Sequence, residues 1–305
     1  LVIYISKHLE IRPTVLLIAL AFGVTVGSVM TPIGNPQNLL IALRSGISLP
    51  FVTFMEFLAI PTLINLFLTF FILKIYFKKD LLHANVTMNS KMLEGHVLEN
   101  PRLAKLSVIV LVATIAGFFV SEILPFVHLA EVPISLVAMT GAAVLYAASS
   151  QRREIVKKVD YTVLVFFVAM FVVTAALWDS GAISLFMKYL PTPNPNDVLQ
   201  SNALISLYSV TLGQILSNVP FVNLYNYIMI ANGFTGAHIV PWMMLAASST
   251  IAGNLTILGA ASTVIIIQAA ESRGVRAFTF LEFFKIGSVV TVVNLAVYYM
   301  FLAIF

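Results

Sequence analysis

The sequence predicts an all-α polytopic membrane protein made of inverted repeats with discontinuous helices and a re-entrant hairpin. Three observations predict this fold class: a composition poor in charge, a series of apolar runs of bilayer length, and two matched interruptions in those runs. Hydrophobic residues make up 60% of the 305 residues and charged residues only 10%. A soluble domain carries about 25% charged residues because its surface faces water, so this composition excludes a large soluble core.

Apolar runs long enough to cross a bilayer follow one another along the chain, at about 14–43, 52–77, 104–124, 132–149, 160–178, 240–270 and 282–303. Gly, Pro and Asn interrupt the first and the sixth run, which predicts two half-helices joined by unwound backbone in each. A further stretch, about 199–230, is too long for one helix and polar in its middle. Gln214, Ser217, Asn218 and Pro220 lie there, which predicts a re-entrant hairpin whose tip is irregular backbone buried in protein.

The distribution of basic residues tests this arrangement, since Lys and Arg gather on the cytoplasmic side of membrane proteins. With residues 1–13 inside and the hairpin returning to its own side, every Lys and Arg except Arg44 and Lys188 falls on the cytoplasmic side. Counting the hairpin as a single crossing would instead move Arg273, Arg276 and Lys285 outside. The charge distribution therefore favours the re-entrant hairpin and places the loop at 78–103 in the cytoplasm.

The interruptions belong to an internal repeat. Thr31–Asn38 aligns with Thr256–Thr263 at an offset of 225, and Thr53–Leu58 aligns with Thr279–Phe284 at an offset of 226. Two matched blocks in one order and nearly one register predict a true repeat. An odd number of crossings separates the copies, so they run in opposite directions through the membrane, as in secondary transporters.

The repeat also predicts the domain organisation. Residues 1–77 form the C-terminal part of the first repeat, residues 78–103 form a cytoplasmic linker, and residues 104–305 form the second repeat with the hairpin at about 199–230. The first copy lacks a counterpart of the hairpin. We therefore expect a chain truncated at its N-terminus, with about 120 further residues preceding Leu1.

Three polar interruptions are the candidate binding positions. Glycine permits unusual backbone angles and proline removes a donor, so the helix opens and exposes carbonyls that bind cations and N–H groups that bind anions. Neutral amide and hydroxyl oxygens suit sodium or a carboxylate. Structural kinks, small-residue packing and a simple turn are the alternative interpretations. The residues singled out are Thr31, Gly34, Asn35, Asn38, Ser217, Asn218, Asn254, Thr256, Gly259, Ser262 and Thr263, with sodium expected at Asn35, Asn218 and Asn254.

The sequence lacks the residues that several classes of chemistry require. No Asp or Glu lies in the two breaks or at the hairpin tip, where a proton-coupled exchanger would usually place one. HExxH, GxSxG and P-loop motifs are absent, so the sequence predicts no enzyme. The absence of cysteine excludes disulfides and thiolate metal sites, and no basic stripe predicts nucleic-acid binding.

Three motifs carry a resemblance to a known family: TPIGNPQN at 31–38, SNVP at 217–220 and GNLTILGAA at 253–261. They resemble the ion transporter superfamily, which includes arsenite permeases, NhaD-type sodium/proton antiporters and divalent anion:sodium symporters for citrate and other dicarboxylates. The resemblance implies two inverted repeats meeting at a central site, in a homodimer with an elevator-like motion. It places sodium and substrate at Ser217, Asn218, Gly34, Asn35, Asn38, Asn254, Thr256 and Ser262.

Two departures from the superfamily pattern bear on the substrate. Val219 stands where dicarboxylate symporters typically have Thr, which disfavours a dicarboxylate. Asn218 stands where sodium/proton antiporters and arsenite permeases tend to carry Asp, which disfavours proton exchange and arsenite efflux.

The sequence as a whole predicts a multi-pass protein of the inner (plasma) membrane that transports small anions, such as di- or tricarboxylates, by secondary active transport. Sodium is the expected coupling ion, and no other cofactor is expected. Arsenite or antimonite efflux and sodium/proton antiport are the alternatives within transport. An ion channel, with the broken helices lining a pore, is the alternative of another class.

Overall fold

The computed structural model describes residues 2–82, 101–124, 132–149, 152–157, 161–181, 188–189 and 191–305. Within these ranges the regular elements are α-helices and short 3₁₀ turns, as the sequence predicts. The helices are α1 (Val2–His8), α2 (Pro13–Gly27), α3 (Pro36–Arg44), α4 (Pro50–Tyr76), α5 (Lys78–Leu82), α6 (Pro101–Ile123), α7 (Ile134–Ala148), α8 (Arg152–Lys157), α9 (Tyr161–Asp179), α10 (Val198–Leu216), α11 (Asn218–Ala231), α12 (Ile239–Ile251), α13 (Ala261–Glu271) and α14 (Phe280–Leu302).

Four helical stretches of the described residues are long and apolar enough to cross a membrane: Pro13–Met30, Pro50–Tyr76, Pro101–Ile123 and Phe280–Leu302. Their large apolar side chains are often exposed, as lipid-facing surfaces require. Phe67 of α4 is 63% exposed and Leu111 of α6 is 60% exposed. The predicted linker at 78–103 falls mostly outside the described residues, and its described ends belong to α5 and α6.

The chain divides into two compact units. Unit one comprises residues 1–47, 53–88 and 173–305, and unit two comprises residues 48–52 and 89–172. Within unit two, Glu122 accepts hydrogen bonds from the backbone N–H groups of Phe51 at 2.7 Å and Val52 at 3.3 Å. A carboxylate at these N–H groups satisfies donors that have no partner within the first turn of α4.

Unit one has an aromatic core at the start of its last helix. Phe283 of α14 packs against Phe22 of α2, with ring centroids 4.9 Å apart, and against Phe278 at 5.2 Å. Arg12, which precedes α2, donates to both carboxylate oxygens of Asp80 at 2.6 and 2.8 Å. The guanidinium also lies 3.6 Å from Glu282 in the first turn of α14.

Buried polar side chains join α4 to α14 within unit one. Thr62 Oγ1 and Tyr298 Oη lie 2.6 Å apart, and Asn65 Nδ2 donates to the backbone oxygen of Asn294 at 3.1 Å. Asn294 Nδ2 donates to Thr69 Oγ1 at 3.3 Å. These contacts run in opposite orders along the two helices, so α4 and α14 are antiparallel where they meet.

We expect the Thr62–Tyr298 contact to contribute to stability through direct coupling. A double-mutant cycle of Thr62→Val and Tyr298→Phe should give an interaction free energy of about 0.5–2 kcal/mol, because polar contacts between membrane helices fall in this range. Reversible unfolding of the detergent-solubilised protein measures it. Leu63→Ala, at a neighbouring exposed position, should be additive with Tyr298→Phe. Additivity in the Thr62–Tyr298 cycle would contradict the assignment.

Candidate functional site

The first break separates α2 from α3. After Gly27 the chain forms a 3₁₀ turn over Ser28–Met30, and α3 begins only at Pro36. Asn35 caps α3, because its side-chain oxygen accepts the backbone N–H of Asn38 at 2.9 Å. A Cβ at Gly34 would overlap the backbone oxygen of Ser28, so only glycine fits this approach of the chain to itself.

Asn38 holds the first break together. Its side-chain nitrogen donates to the backbone oxygens of Ser28 at 3.2 Å, Val29 at 3.1 Å and Thr31 at 3.1 Å. Its side-chain oxygen accepts from Thr250 Oγ1 at 3.2 Å. Asn38 is fully buried, and both ends of its amide are bonded within the protein. The amide of Asn38 therefore holds the first break together and joins it to α12.

The second break separates α12 from α13. After Ile251 the chain forms a 3₁₀ turn over Ala252–Asn254, and α13 begins at Ala261. The helix starts Pro36 and Ala261 lie 225 residues apart, at the offset of the sequence repeat. Ala260, at the N-cap position of α13, has no side-chain acceptor, so the first N–H groups of α13 lack the side-chain cap that Asn35 gives to α3.

Gln214 of α10 bridges the second break. Its side-chain nitrogen donates to the backbone oxygen of Ala252 at 2.8 Å, and its side-chain oxygen accepts from Thr256 Oγ1 at 2.7 Å. A Cβ at Gly259 would lie 3.1 Å from Gln214 Oε1 and 3.0 Å from the Cα of Gly253. The absence of side chains at Gly253 and Gly259 thus lets these two segments of the break pack closely against each other and against α10.

The junction between α10 and α11 lies against the second break. Ser217, at the junction, has a φ of 66° and a ψ of 153°, a conformation that is rare for residues other than glycine. Asn218, the first residue of α11, is 3% exposed. Its side-chain oxygen lies 3.2 Å from the Cβ position of Gly213, and its nitrogen lies 3.0 Å from that of Gly253. Two glycines therefore make the slot that holds this amide.

Thr250 links the first break to the second. It lies in the last turn of α12, shortly before Asn254, and its hydroxyl accepts from Asn35 Nδ2 at 3.1 Å. The same hydroxyl donates to Asn38, as described above. Within unit one the structure therefore brings together the first break, the second break and the α10–α11 junction.

Four buried polar atoms at this place have no hydrogen-bonding partner among the described residues. They are Asn218 Oδ1, both side-chain polar atoms of Asn254, and Thr263 Oγ1. Leaving such an atom unpaired costs about 1–3 kcal/mol, so these atoms are the ones available to a ligand. Asn35 differs from the other two predicted sodium ligands, because its side-chain oxygen already caps α3.

No charged side chain belongs to the two breaks or to the junction. The electrostatic field there comes from helix ends: the C-terminal ends of α2 and α12, and the N-terminal ends of α11 and α13. Carbonyl ends favour cations and N–H ends favour anions. The side chain at the N-cap of α11, Ser217, makes no capping hydrogen bond, so α11 and α13 both present uncapped N–H groups.

The predicted site residues thus divide into separate groups. Asn35 and Asn38 are bonded within the first break and to Thr250, whereas Asn218 and Asn254 present unpaired atoms. In the described part of the chain, no side-chain hydrogen bond of Ser217 or Ser262 joins the network. Sequence reasoning missed Thr250, which a search for hydroxyls one turn before the second break would have found.

Comparisons with known proteins point to a membrane transporter. A family model described as a citrate transporter matches residues 1–247. An uncharacterised transporter of Mycobacterium tuberculosis is 28% identical over 96% of this chain and 67% of its own length. A silicon efflux transporter of Oryza sativa subsp. japonica is 26% identical over 87% of this chain and 64% of its own length. A transporter named arsB, of Dictyostelium discoideum, is 27% identical over 59% of this chain and 30% of its own length.

Proposed function

The chain belongs to the citrate transporter family, and we propose that it moves a small anion of the di- or tricarboxylate class together with sodium. The family is one of transporters, which agrees with the prediction that the chain is not an enzyme. One observation supports the proposal: the unpaired side-chain oxygen of Asn218 and the unpaired amide of Asn254 lie at the α10–α11 junction and in the second break, next to helix starts without side-chain caps. This arrangement offers ligands to a cation and an anion at once.

Different atoms of the proposed site suit the cation and the anion. Side-chain oxygens of Asn218 and Asn254, with backbone carbonyls of the second break, are neutral hard ligands of the kind that sodium accepts. The backbone N–H groups at the starts of α11 and α13 can donate hydrogen bonds to an anion. They therefore suit the carboxylates of the substrate. Because the breaks carry no carboxylate, sodium is a better candidate than a proton for the coupling ion.

We further propose that α10 and α11 form the re-entrant hairpin and that the two breaks belong to inverted repeats. The antiparallel contact of α4 with α14 supports this proposal, since these helices follow the two breaks in the chain. The shared offset of the helix starts at Pro36 and Ala261 supports it as well. Inverted repeats would let the shared site face either side of the membrane in turn.

Uptake by the reconstituted protein tests sodium coupling. Liposomes with an inward sodium gradient should accumulate labelled citrate, and replacing external sodium by choline should reduce initial uptake to the protein-free level. Malate and succinate serve as smaller competitors that define the substrate class. Uptake that ignores sodium but follows an imposed pH gradient would contradict sodium coupling.

A second candidate function is efflux of a small oxyacid, favoured by the similarity to a silicon efflux transporter and to arsB. Neutral amides can bind undissociated hydroxyl groups as well as carboxylates. Counterflow distinguishes the two: preloaded unlabelled citrate should accelerate entry of labelled citrate, whereas preloaded arsenite or silicic acid should not. Acceleration by the oxyacids alone would favour the second function.

Discrete single-channel currents in planar bilayers would instead indicate a channel.

A further inference from the structure

Two asparagines of α11 outside the proposed site are also buried without partners. Asn223 is 1% exposed and Asn226 is fully buried. Both side-chain polar atoms of each residue lack a hydrogen-bonding partner among the described residues. The helix packs against α3, α10 and α12, so these side chains face protein and not lipid.

Many other buried polar groups of unit one are paired. Ser209 of α10 and Ser248 of α12 lie with their hydroxyl oxygens 2.8 Å apart, and Asn38 is bonded at both ends of its amide. Most of the unpaired buried polar atoms in the described residues lie on α10 and α11. They include both side-chain polar atoms of Asn202 in α10. Unpaired amides are therefore concentrated on this helix pair, with Asn254 of the second break and Asn65 of α4 as the other examples among the described residues.

Asn223 and Asn226 lie on neighbouring parts of one helix surface, because residues three apart in an α-helix are adjacent. Asn226 is eight residues from Asn218, which corresponds to about 12 Å along the helix axis. Along the helix axis, Asn223 and Asn226 therefore lie between Asn218 and the end of α11 at Ala231, on a surface turned by roughly 80–140° from that of Asn218. An amide provides donors and an acceptor without charge, so it can replace water around a solute without holding it tightly.

We propose that Asn223 and Asn226 line a hydrated route along α11, by which the solute passes between water and the amide of Asn218. The route serves a small oxygen-rich anion or a partly hydrated cation, and it rests on the proposed transport function. Asn202 of α10 provides a further unpaired amide on the partner helix of the pair.

The absence of cysteine from the chain makes the route directly testable. Single variants Asn223→Cys and Asn226→Cys, in sealed membrane vesicles, are treated with a membrane-impermeant methanethiosulfonate reagent. Phe221→Cys and Ile228→Cys are matched controls, because both residues are buried on the same helix but lie roughly 140–160° around its axis from Asn223 and Asn226. We expect the asparagine positions to react at least about 10-fold faster than the controls, since thiols react as hydrated thiolates.

Equal, slow labelling at all four positions would overturn the route. Protection by citrate with sodium would tie the route to the proposed substrate. Fast labelling without protection would support the hydrated route and count against citrate as its solute. The labelling readout does not require transport, so the two proposals fail separately.

A second variant separates a route from a structural role. Asn226→Leu removes two unpaired polar atoms, so the melting temperature should stay the same or rise, while initial uptake should fall about 10-fold or more. A structural asparagine would behave in the opposite way, with a lower melting temperature. That outcome would overturn the assignment of Asn226 to the route.

Discussion

An Asn218→Ala variant is expected to lose sodium-dependent uptake while keeping the melting temperature of the wild-type protein. The side-chain oxygen of Asn218 is buried and bonded to no described residue, so its removal breaks no hydrogen bond of the protein. A hydrogen bond or ion contact to a charged ligand is worth about 1.5–3 kcal/mol, which corresponds to a loss of about 10- to 100-fold in apparent affinity.

Thermal unfolding in detergent supplies the second readout. Citrate and sodium together should raise the melting temperature of the wild-type protein, because a ligand that binds only the folded state stabilises it. The same additions should leave the melting temperature of Asn218→Ala unchanged. Asn232→Ala is the matched control, since Asn232 follows the same helix and its amide donates to Ile228 within the protein. Unchanged uptake by Asn218→Ala would exclude this amide from the site.

The helices and their interruptions could be predicted because local chemistry decides them. Apolar runs of bilayer length become helices, and the predicted bounds differ from the observed ones by only a few residues. Gly34 and Pro36 open the first run, since a side chain at Gly34 would overlap Ser28 and proline lacks the N–H that a continuing helix would use. Ser217 was found through its polar surroundings, although its positive φ would have favoured glycine.

The division of the site into bonded and unpaired amides could not be predicted from residue types. The repeat aligns Asn38 with Thr263, yet Asn38 is bonded to three carbonyls and the Thr263 hydroxyl has no described partner. The repeat likewise aligns Asn35, which caps α3, with Ala260, which has no capping side chain. Such differences depend on which groups the folded chain brings within hydrogen-bonding distance, and a sequence alignment does not contain that information.

The same argument explains why the sequence analysis does not single out the other asparagines of α10 and α11. Asn202, Asn223 and Asn226 lie inside helices, where an asparagine in sequence reads as an ordinary interhelical contact. Their significance comes from the absence of described partners around buried atoms. Burial and hydrogen bonding together distinguish amides that stabilise the fold from amides that are available to bind a ligand. Residue type alone does not.

An Asn38→Ala variant should therefore fail in a different way from Asn218→Ala, by losing stability first. The substitution removes the side-chain donor of the Val29 backbone oxygen and the acceptor of the Thr250 hydroxyl inside a buried break. The backbone oxygens of Ser28 and Thr31 also lose a donor, although each keeps one from Asn35 Nδ2 and the Gly34 N–H. Unsatisfied buried groups cost about 1–3 kcal/mol each, and the remaining turn can relax in part, so we expect a loss of about 2–4 kcal/mol in unfolding free energy. The melting temperature in detergent should fall by roughly 5–10 °C.

Leu43→Ala is the control for Asn38→Ala, because Leu43 lies on the same helix and is 66% exposed. It should melt like the wild-type protein. Adding citrate and sodium should not restore the stability of Asn38→Ala, since the lost bonds lie within the protein and not to a ligand. If Asn38→Ala instead kept its melting temperature and lost only uptake, the first break would be a ligand site, equal in role to the second. Comparing Asn38→Ala with Asn218→Ala thus tests whether the two breaks differ in role. In that case the first break stabilises the fold and the second break binds the ligand.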